Sequence, residues 1–99
     1  MTLELYVSRR AATEIERIVK WWSQNRPAAP DAVRTDLRVA LDILLEQPEL
    51  GSKVEQASSP DVRCFHLDRI RDWIYYRVRR NRFEVVSVWH ASRGRGPIV

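Results

Sequence analysis

One stretch of the chain, residues 73–90, restricts the fold more than any other. It holds two blocks rich in β-branched and aromatic residues on either side of a polar centre, Arg79-Arg80-Asn81-Arg82. Asn tolerates the left-handed backbone that a tight turn needs, and β-branched and aromatic side chains favour strands. The stretch is therefore predicted to form a β-hairpin, and the arginines at its turn are interpreted as solvating charges.

The two arms of this hairpin differ in pattern. Apolar side chains alternate with amphipathic or cationic ones along the first arm, Ile74, Tyr76 and Val78 against Tyr75 and Arg77. One face of that strand is therefore apolar. The second arm contains adjacent apolar residues, which is typical of a strand with both faces partly covered. Residues 83–90 are predicted to lie inside the sheet.

Size and composition limit the class of protein. The chain has 99 residues, 44% of them hydrophobic, which is enough for one domain, residues 1–99, with a two-layer core. No apolar run approaches the roughly 20 residues that cross a bilayer, and the first residues do not resemble a signal peptide. We therefore expect a cytoplasmic protein that makes no membrane contact.

Few residues suit metal or redox chemistry. Cys64 is the one cysteine, so no internal disulfide is possible, and the two histidines show no metal-ligand spacing. We expect neither a metal nor a cofactor. The 17 Lys and Arg exceed the 13 Asp and Glu by a net charge of +4, and the surplus lies after residue 60. Such a cationic half suits phosphate or an acidic protein partner.

The first part of the chain predicts a strand and an amphipathic helix. Apolar residues alternate over residues 3–7, and the hydroxyl of Ser8 can then cap a helix at residues 9–24. Trp21 lies at the edge of the apolar stripe of this helix. There it either seals the packing of a helix pair or contacts a partner.

The remaining elements define the fold class. Two prolines within residues 25–30 end the first helix, and a second amphipathic helix begins at Asp31. Residues 51–60 are polar and are predicted to be a mobile loop, and residues 62–67 are predicted to form a strand. The prediction is an α+β fold, in which an N-terminal strand and an α-helical hairpin precede a three-stranded antiparallel meander. The helices pack on one face of a mostly antiparallel sheet.

This order of elements, together with several short motifs, resembles the RelE/ParE family of toxins from bacterial type II toxin–antitoxin modules. The resemblance covers nearly the whole chain. The motifs are Pro-Glu-Leu-Gly at 48–51, Val62-Arg63, Ile-Tyr-Tyr-Arg-Val at 74–78, and Val-Ser-Val-Trp-His at 86–90 with an Arg-rich tail after it.

The resemblance implies a toxin, and the family divides by target. RelE-like members cut mRNA in the ribosome, whereas ParE-like members inhibit DNA gyrase without known nuclease chemistry. The chain has Arg77 and Arg93, as RelE-like enzymes do. It has Ala91 where many of them carry Arg, and no Tyr after Tyr76, although they place one near position 97. These differences favour the ParE-like branch and inhibition of gyrase by binding.

The resemblance and the sheet pattern together indicate the binding residues. Target contacts are expected at Arg77, His90, Arg93 and Arg95. A cognate, acidic antitoxin is expected to fold as it docks on the helix pair or on the sheet face opposite the helices. That sheet face is predicted to display Tyr75, Arg77, Ser87 and Trp89, and the antitoxin contacts are Trp21, Tyr75, Arg77 and Trp89. DNA is expected to be bound through the antitoxin.

Two other functions stay open at this point. A ribosome-dependent mRNA endonuclease needs a base, an acid and cations around the phosphate. His90, Glu84, Arg63 and Arg77 would form that set. A nontoxic interaction module would instead keep the fold after its toxicity had decayed.

Overall fold

The computed structural model describes residues 3–90 and 96–99 and confirms the predicted α+β fold. The first elements are a short strand and two helices: β1 (Glu4–Val7), α1 (Arg9–Asn25) and α2 (Ala32–Glu46). A 3₁₀ turn at Pro48–Leu50 then leads into a two-residue strand, β2 (Ser52–Lys53). The predicted meander follows: β3 (Val62–Leu67), β4 (Asp72–Arg79) and β5 (Arg82–His90).

The strands form one sheet in the order β1-β5-β4-β3-β2. The strand β1 runs parallel to β5, and every other pair is antiparallel. The prediction that residues 83–90 lie inside the sheet is confirmed, because β5 has a neighbour on each side. The strand β2 pairs with β3, so part of the stretch predicted as a mobile loop is a strand. A strand of two residues is too short to show alternation.

Helix α1 begins where the sequence predicts. The side chain of Ser8 accepts a hydrogen bond from the backbone N–H of Ala11 at 3.0 Å, and its hydroxyl donates to the carbonyl of Val86 at 3.0 Å. A serine hydroxyl satisfies an early helical N–H that has no partner within the helix. The same side chain therefore caps α1 and ties it to β5.

The core lies between the helix pair and one face of the sheet. Helix α2 contributes fully or nearly fully buried side chains every three or four positions, which are Val33, Leu37, Ala40 and Leu44. They pack over Ile74, Tyr76 and Phe83, and the rings of Tyr76 and Phe83 stack with centroids 4.7 Å apart. No described helix is long and apolar enough to cross a membrane.

The packing of the two helices separates two neighbouring tryptophans. The indole Nε1 of Trp22 donates to the carbonyl of Ala29 at 2.7 Å, and its ring packs against the core. Trp21 is 50% exposed. Of the two roles predicted for Trp21, sealing the helix pair is therefore wrong, because Trp22 does this. Trp21 is left free for the second role, contact with a partner.

Candidate functional site

The sheet has a second face that the helices do not cover. Residues paired across strands share a face, and the register places Trp73 beside both His66 and Trp89, and Arg77 beside Glu84. We call this surface the outer face; its residues are Cys64, His66, Trp73, Tyr75, Arg77, Glu84 and Trp89. These seven are half-buried, whereas Val62 and Ser87, which pair with Arg77 and Tyr75 on the same side, are buried. The prediction that Tyr75, Arg77 and Trp89 share this face agrees with the register.

One end of the outer face is aromatic. The imidazole of His66 and the indole of Trp73 lie with centroids 4.6 Å apart, and His66 Nδ1 is 2.9 Å from a carboxylate oxygen of Asp68. Trp89 lies directly across from Trp73. Aromatic side chains of this kind give large contact areas in protein interfaces. This end is suited to bind another protein.

The other end of the outer face is charged. Arg77 donates from Nε to Glu84 Oε1 at 2.5 Å, and the two side chains are 28% and 19% exposed.

The neutral groups between the two ends stay protonated at neutral pH. Burial raises the pKa of the Cys64 thiol, and it also raises the pKa of the Tyr75 hydroxyl. The thiol is therefore not an activated nucleophile.

The last described residues lie against the outer face. The hydroxyl of Tyr75 is so near Gly96 that a Cβ placed there would be 3.0 Å from it. Arg10 donates from Nη1 to the carbonyl of Ile98 at 2.5 Å, and the carbonyl of Val99 accepts from the N–H and the hydroxyl of Ser58 at 2.7 and 2.8 Å. Segment 96–99 therefore connects α1 with the loop before β3, so part of the surface predicted to be open has a neighbour from the chain itself.

Ser87 was predicted to be displayed on this face; its pairing with Tyr75 puts it on this side of the sheet, but the prediction that it is displayed is wrong. The pairing of β4 with β5 shifts between Tyr75 and Tyr76, so β5 has one extra residue there. Ser87 is fully buried, and its hydroxyl donates to Glu14 Oε1 at 2.8 Å. The same oxygen accepts from the N–H of Val88 at 3.1 Å. The carboxylate of α1 thus occupies the edge of β5 beyond the end of β1.

A family model for the ParE toxin of the type II toxin–antitoxin system parDE matches residues 5–94. This chain belongs to the ParE toxin family. The element order described above, a strand and two helices followed by a meander, is thus the fold of a member of this family.

Two solved structures have the same fold as this ParE toxin. A chain of the chromosomal ParDE toxin–antitoxin system from P. aeruginosa superposes with a TM-score of 0.72 at 20% identity, covering 90% of this chain and 96% of that one. A double mutant of the E. coli toxin RelE in the free state superposes with a TM-score of 0.53 at 20% identity, covering 95% and 88%. No curated protein sequence matches significantly.

The ParE toxin does not bring the four residues of the alternative acid–base set to one place. Arg63 pairs with Tyr76 in the sheet, so it lies on the helix side, where it donates to the carbonyls of Gly51 and Glu49 at 2.7 and 3.3 Å. Arg77 and Glu84 pair with each other on the outer face. His90 and Glu84 pair with Asp72 and Arg77, which are five residues apart on β4, so they are about 17 Å apart along the sheet at about 3.4 Å per residue.

The other predicted contact residues of the ParE toxin are spread over the molecule. His90 is half-buried at the end of β5 and lies across from Asp72. Trp21 is on α1, Tyr75 and Arg77 are on the outer face, and Trp89 is beside Trp73. Arg93 and Arg95 lie outside the described residues. In the described part of the chain, no three or more His, Cys, Asp and Glu side chains are grouped to hold a metal ion.

Sequence reasoning missed one unusual carboxyl group in the ParE toxin. Asp72 is fully buried on the helix side of β4, and neither of its carboxyl oxygens has a hydrogen-bond partner among the described residues. Burial raises its pKa to about 6, and the nearby imidazole of His66 opposes this shift. The residue type of Asp72 gives no sign of such burial. The available signal was its spacing, because Asp72 is two residues before the apolar Ile74 and alternate residues of a strand share a face.

Proposed function

We propose that this ParE toxin acts by binding DNA gyrase and inhibiting it, with no bond-breaking chemistry of its own. The family match over residues 5–94 shows the toxin class, and the gyrase target follows from the resemblance to ParE-like chains. Since gyrase acts on chromosomal DNA, the proposed site of action is the cytoplasm.

The proposal that the toxin inhibits by binding is supported by one observation: the residues of the alternative acid–base set are far apart in the structure. Cleavage of RNA needs a base, an acid and cations at one phosphate. Arg63 and Arg77 lie on opposite sides of the sheet, and Glu84 is held by Arg77. The outer face instead combines half-buried aromatic rings with a charged end, and this combination is typical of protein-binding surfaces.

We also propose that a cognate antitoxin neutralises the toxin by docking on exposed surfaces of this chain. The ParDE system of the P. aeruginosa structure supports a partner of this kind. Trp21 on α1 is a half-exposed anchor, and Tyr75, Arg77 and Trp89 supply aromatic and cationic contacts on the outer face. An acidic segment that orders as it binds suits this surface. The antitoxin is also proposed to mediate binding of the pair to its operator DNA.

A supercoiling assay with purified gyrase tests the target. The wild-type chain is expected to inhibit supercoiling, and Arg77→Ala is expected to weaken inhibition by about tenfold, which corresponds to about 1.4 kcal/mol of lost binding. Arg34→Ala is the matched control, because Arg34 is exposed on α2 and has no ion pair within the described part of the chain. Unchanged supercoiling and DNA cleavage at high molar excess of wild-type chain would rule out gyrase.

Induction in cells separates the other functions from this one. Growth is expected to stop without an antitoxin and to recover when the antitoxin is co-expressed, with a DNA damage response and intact messages. Translation-dependent mRNA cleavage that disappears in His90→Ala and in Arg77→Ala would favour the endonuclease. Unaffected growth with folded protein present would favour the nontoxic module.

The antitoxin surface is tested by binding measurements with the purified complex. Trp21→Ala and Tyr75→Ala are each expected to shorten the lifetime of the complex by tenfold or more, because buried aromatic anchors dominate interface energies. Arg34→Ala again serves as control. Dissociation at the wild-type rate in both aromatic variants would place the antitoxin elsewhere on the molecule.

A further inference from the structure

The turn between β4 and β5 forms one wall of a concave cleft of about 400 Å³. Its lining consists only of polar and charged residues, which are Glu4, Arg77, Arg79, Arg80, Asn81, Arg82 and Glu84. All four cations in this lining are arginines, opposed by two carboxylates. A guanidinium is a planar fork that binds a phosphate through two parallel hydrogen bonds. We call this feature the hairpin cleft.

Two of the arginines are held in place by neighbouring side chains. Arg77 donates to Glu84 from Nε, and Arg79 donates from Nε to an Asp61 oxygen at 3.2 Å. Arg79 also donates from Nη2 to the hydroxyl of Ser59 at 2.9 Å. A guanidinium has five N–H donors, and the terminal nitrogens of Arg77 have no hydrogen bond to any described residue. The ion pairs therefore orient these side chains and leave donors for a ligand.

The other two arginines carry exposed charge at the turn. Arg80 has a φ of 58°, and a left-handed backbone is uncommon for a residue other than glycine. A two-residue hairpin turn requires such a backbone, and Arg71 adopts it as well, with a φ of 59°, in the turn before β4. The guanidinium of Arg82 lies over the ring of Tyr6 at 5.0 Å. Neither Arg80 nor Arg82 has an ion pair within the described residues.

We propose that the hairpin cleft binds the phosphodiester backbone of double-stranded DNA, so that the toxin contacts DNA directly and not only through its antitoxin. Positive charge and hydrogen-bond donors are sufficient to bind the phosphate backbone of DNA. An acidic protein segment would need an apolar pocket for an anchoring side chain, and the cleft lining has none. The lining also holds no aromatic ring to stack single-stranded bases. Because Arg82 pairs with Glu4 of β1, the turn is part of the five-stranded sheet and not a separate ribbon, so its arginines reach phosphates and not base edges.

Fluorescence anisotropy with a labelled 20-base-pair duplex tests the site, using the full chain at a series of salt concentrations. Each lost phosphate contact lowers the slope of log K against log salt by about 0.9. Arg80→Ala with Arg82→Ala is expected to lower the slope by about two and to weaken binding at low salt at least tenfold. The control, Arg17→Ala with Arg34→Ala, removes the same charge from exposed positions of α1 and α2 and is expected to leave the slope unchanged.

A third variant separates binding from folding. Arg80→Gly places a glycine where the backbone is left-handed, so the hairpin is expected to fold at least as well as the wild type. The slope is still expected to fall by about one. The site is disproved if this variant keeps the wild-type slope, if the two double variants lose equal affinity, or if poly-glutamate or duplex RNA competes better than duplex DNA. The assay contains no gyrase, so its result is independent of the proposed target.

Discussion

The two faces of the sheet use the same strands for opposite purposes. On the helix side, Ile74, Tyr76 and Phe83 are completely buried, whereas on the outer face the neighbouring Trp73, Tyr75 and Arg77 are half-buried. Alternate residues of β4 therefore belong to different surfaces. Stability therefore depends on the first set, while the second set is available for recognition. Substitutions on the two faces are expected to separate folding from function.

The largest loss of stability is expected when an aromatic residue of the helix side is replaced, compared with an aromatic residue of the outer face. Phe83→Ala is expected to lower the free energy of unfolding by about 3–5 kcal/mol, because it leaves a cavity under α2 and removes the ring stacked on Tyr76. Tyr75→Ala on the outer face is expected to cost about 1 kcal/mol. Urea unfolding followed by circular dichroism measures both. Equal losses would mean that the outer face is a second core.

Asp72 is the charged exception on the helix side, and it predicts a pH dependence. Its pKa of about 6 lies above the ordinary value of 3.8. Between about pH 4 and pH 6 the folded chain therefore binds more protons than the unfolded chain, and the free energy of unfolding falls as pH rises. The effect is at most about 3 kcal/mol.

Asp72→Asn tests this contribution. The variant is expected to lose this pH-dependent decrease, so its stability relative to the wild type rises from pH 4 to pH 7. Thermal melts across this range measure the difference, with Asp42→Asn as the control, because Asp42 is exposed on α2 and has no ion pair among the described residues. A wild-type chain that gains stability relative to Asp72→Asn as pH rises would contradict the assigned pKa.

A smaller effect is expected where helix α1 meets the edge of the sheet. Glu14→Ala removes the acceptor of the Ser87 hydroxyl and the Val88 N–H, which leaves both donors buried without a partner. A loss of about 2 kcal/mol is expected. Glu16→Ala, at an exposed position of the same helix, is expected to change stability by less than about 0.5 kcal/mol. Similar losses in the two variants would show that helix propensity, and not the edge contact, is responsible.

The smallest expected effect on stability concerns the two adjacent tryptophans. Trp21→Ala is expected to cost less than about 1 kcal/mol, since half of its side chain is exposed. Trp22→Ala is expected to cost several times more, because it removes core contacts and the hydrogen bond to Ala29. Chemical unfolding of the free chain compares the two. If Trp21→Ala were the more damaging, the helix pair would be packed through Trp21.

The elements that alternate or repeat regularly were predictable from the sequence. The hairpin, the cap at Ser8 and the two helices each depend on local patterns, and local patterns determine them. Arg63 has the parity of Phe65, so its place on the helix side was also readable. The burial of Ser87 was not readable, because it depends on where Glu14 of α1 reaches the edge of β5, and no local pattern reports that contact.

Features that depend on contacts between distant segments could not be predicted from the sequence. The arginines at the turn were visible, but their ion pairs with Asp61 and Glu84 and the cleft that they line depend on how β1 and the loop before β3 pack against the hairpin. The position of segment 96–99 against Tyr75 likewise requires the complete fold. Nucleotide or partner contacts built on such features cannot be read from spacing alone.

The parallel pairing of β1 with β5 has a consequence for synthesis on the ribosome. Ser8 and Val86, which are hydrogen-bonded to each other, are 78 residues apart. At about 5–20 residues per second, the first strand emerges about 4–16 s before its partner exists. During that interval the nascent chain has an incomplete sheet and no finished surface. Under the proposed function, the chain therefore cannot bind gyrase or an antitoxin through the outer face until several seconds after β1 has been synthesised.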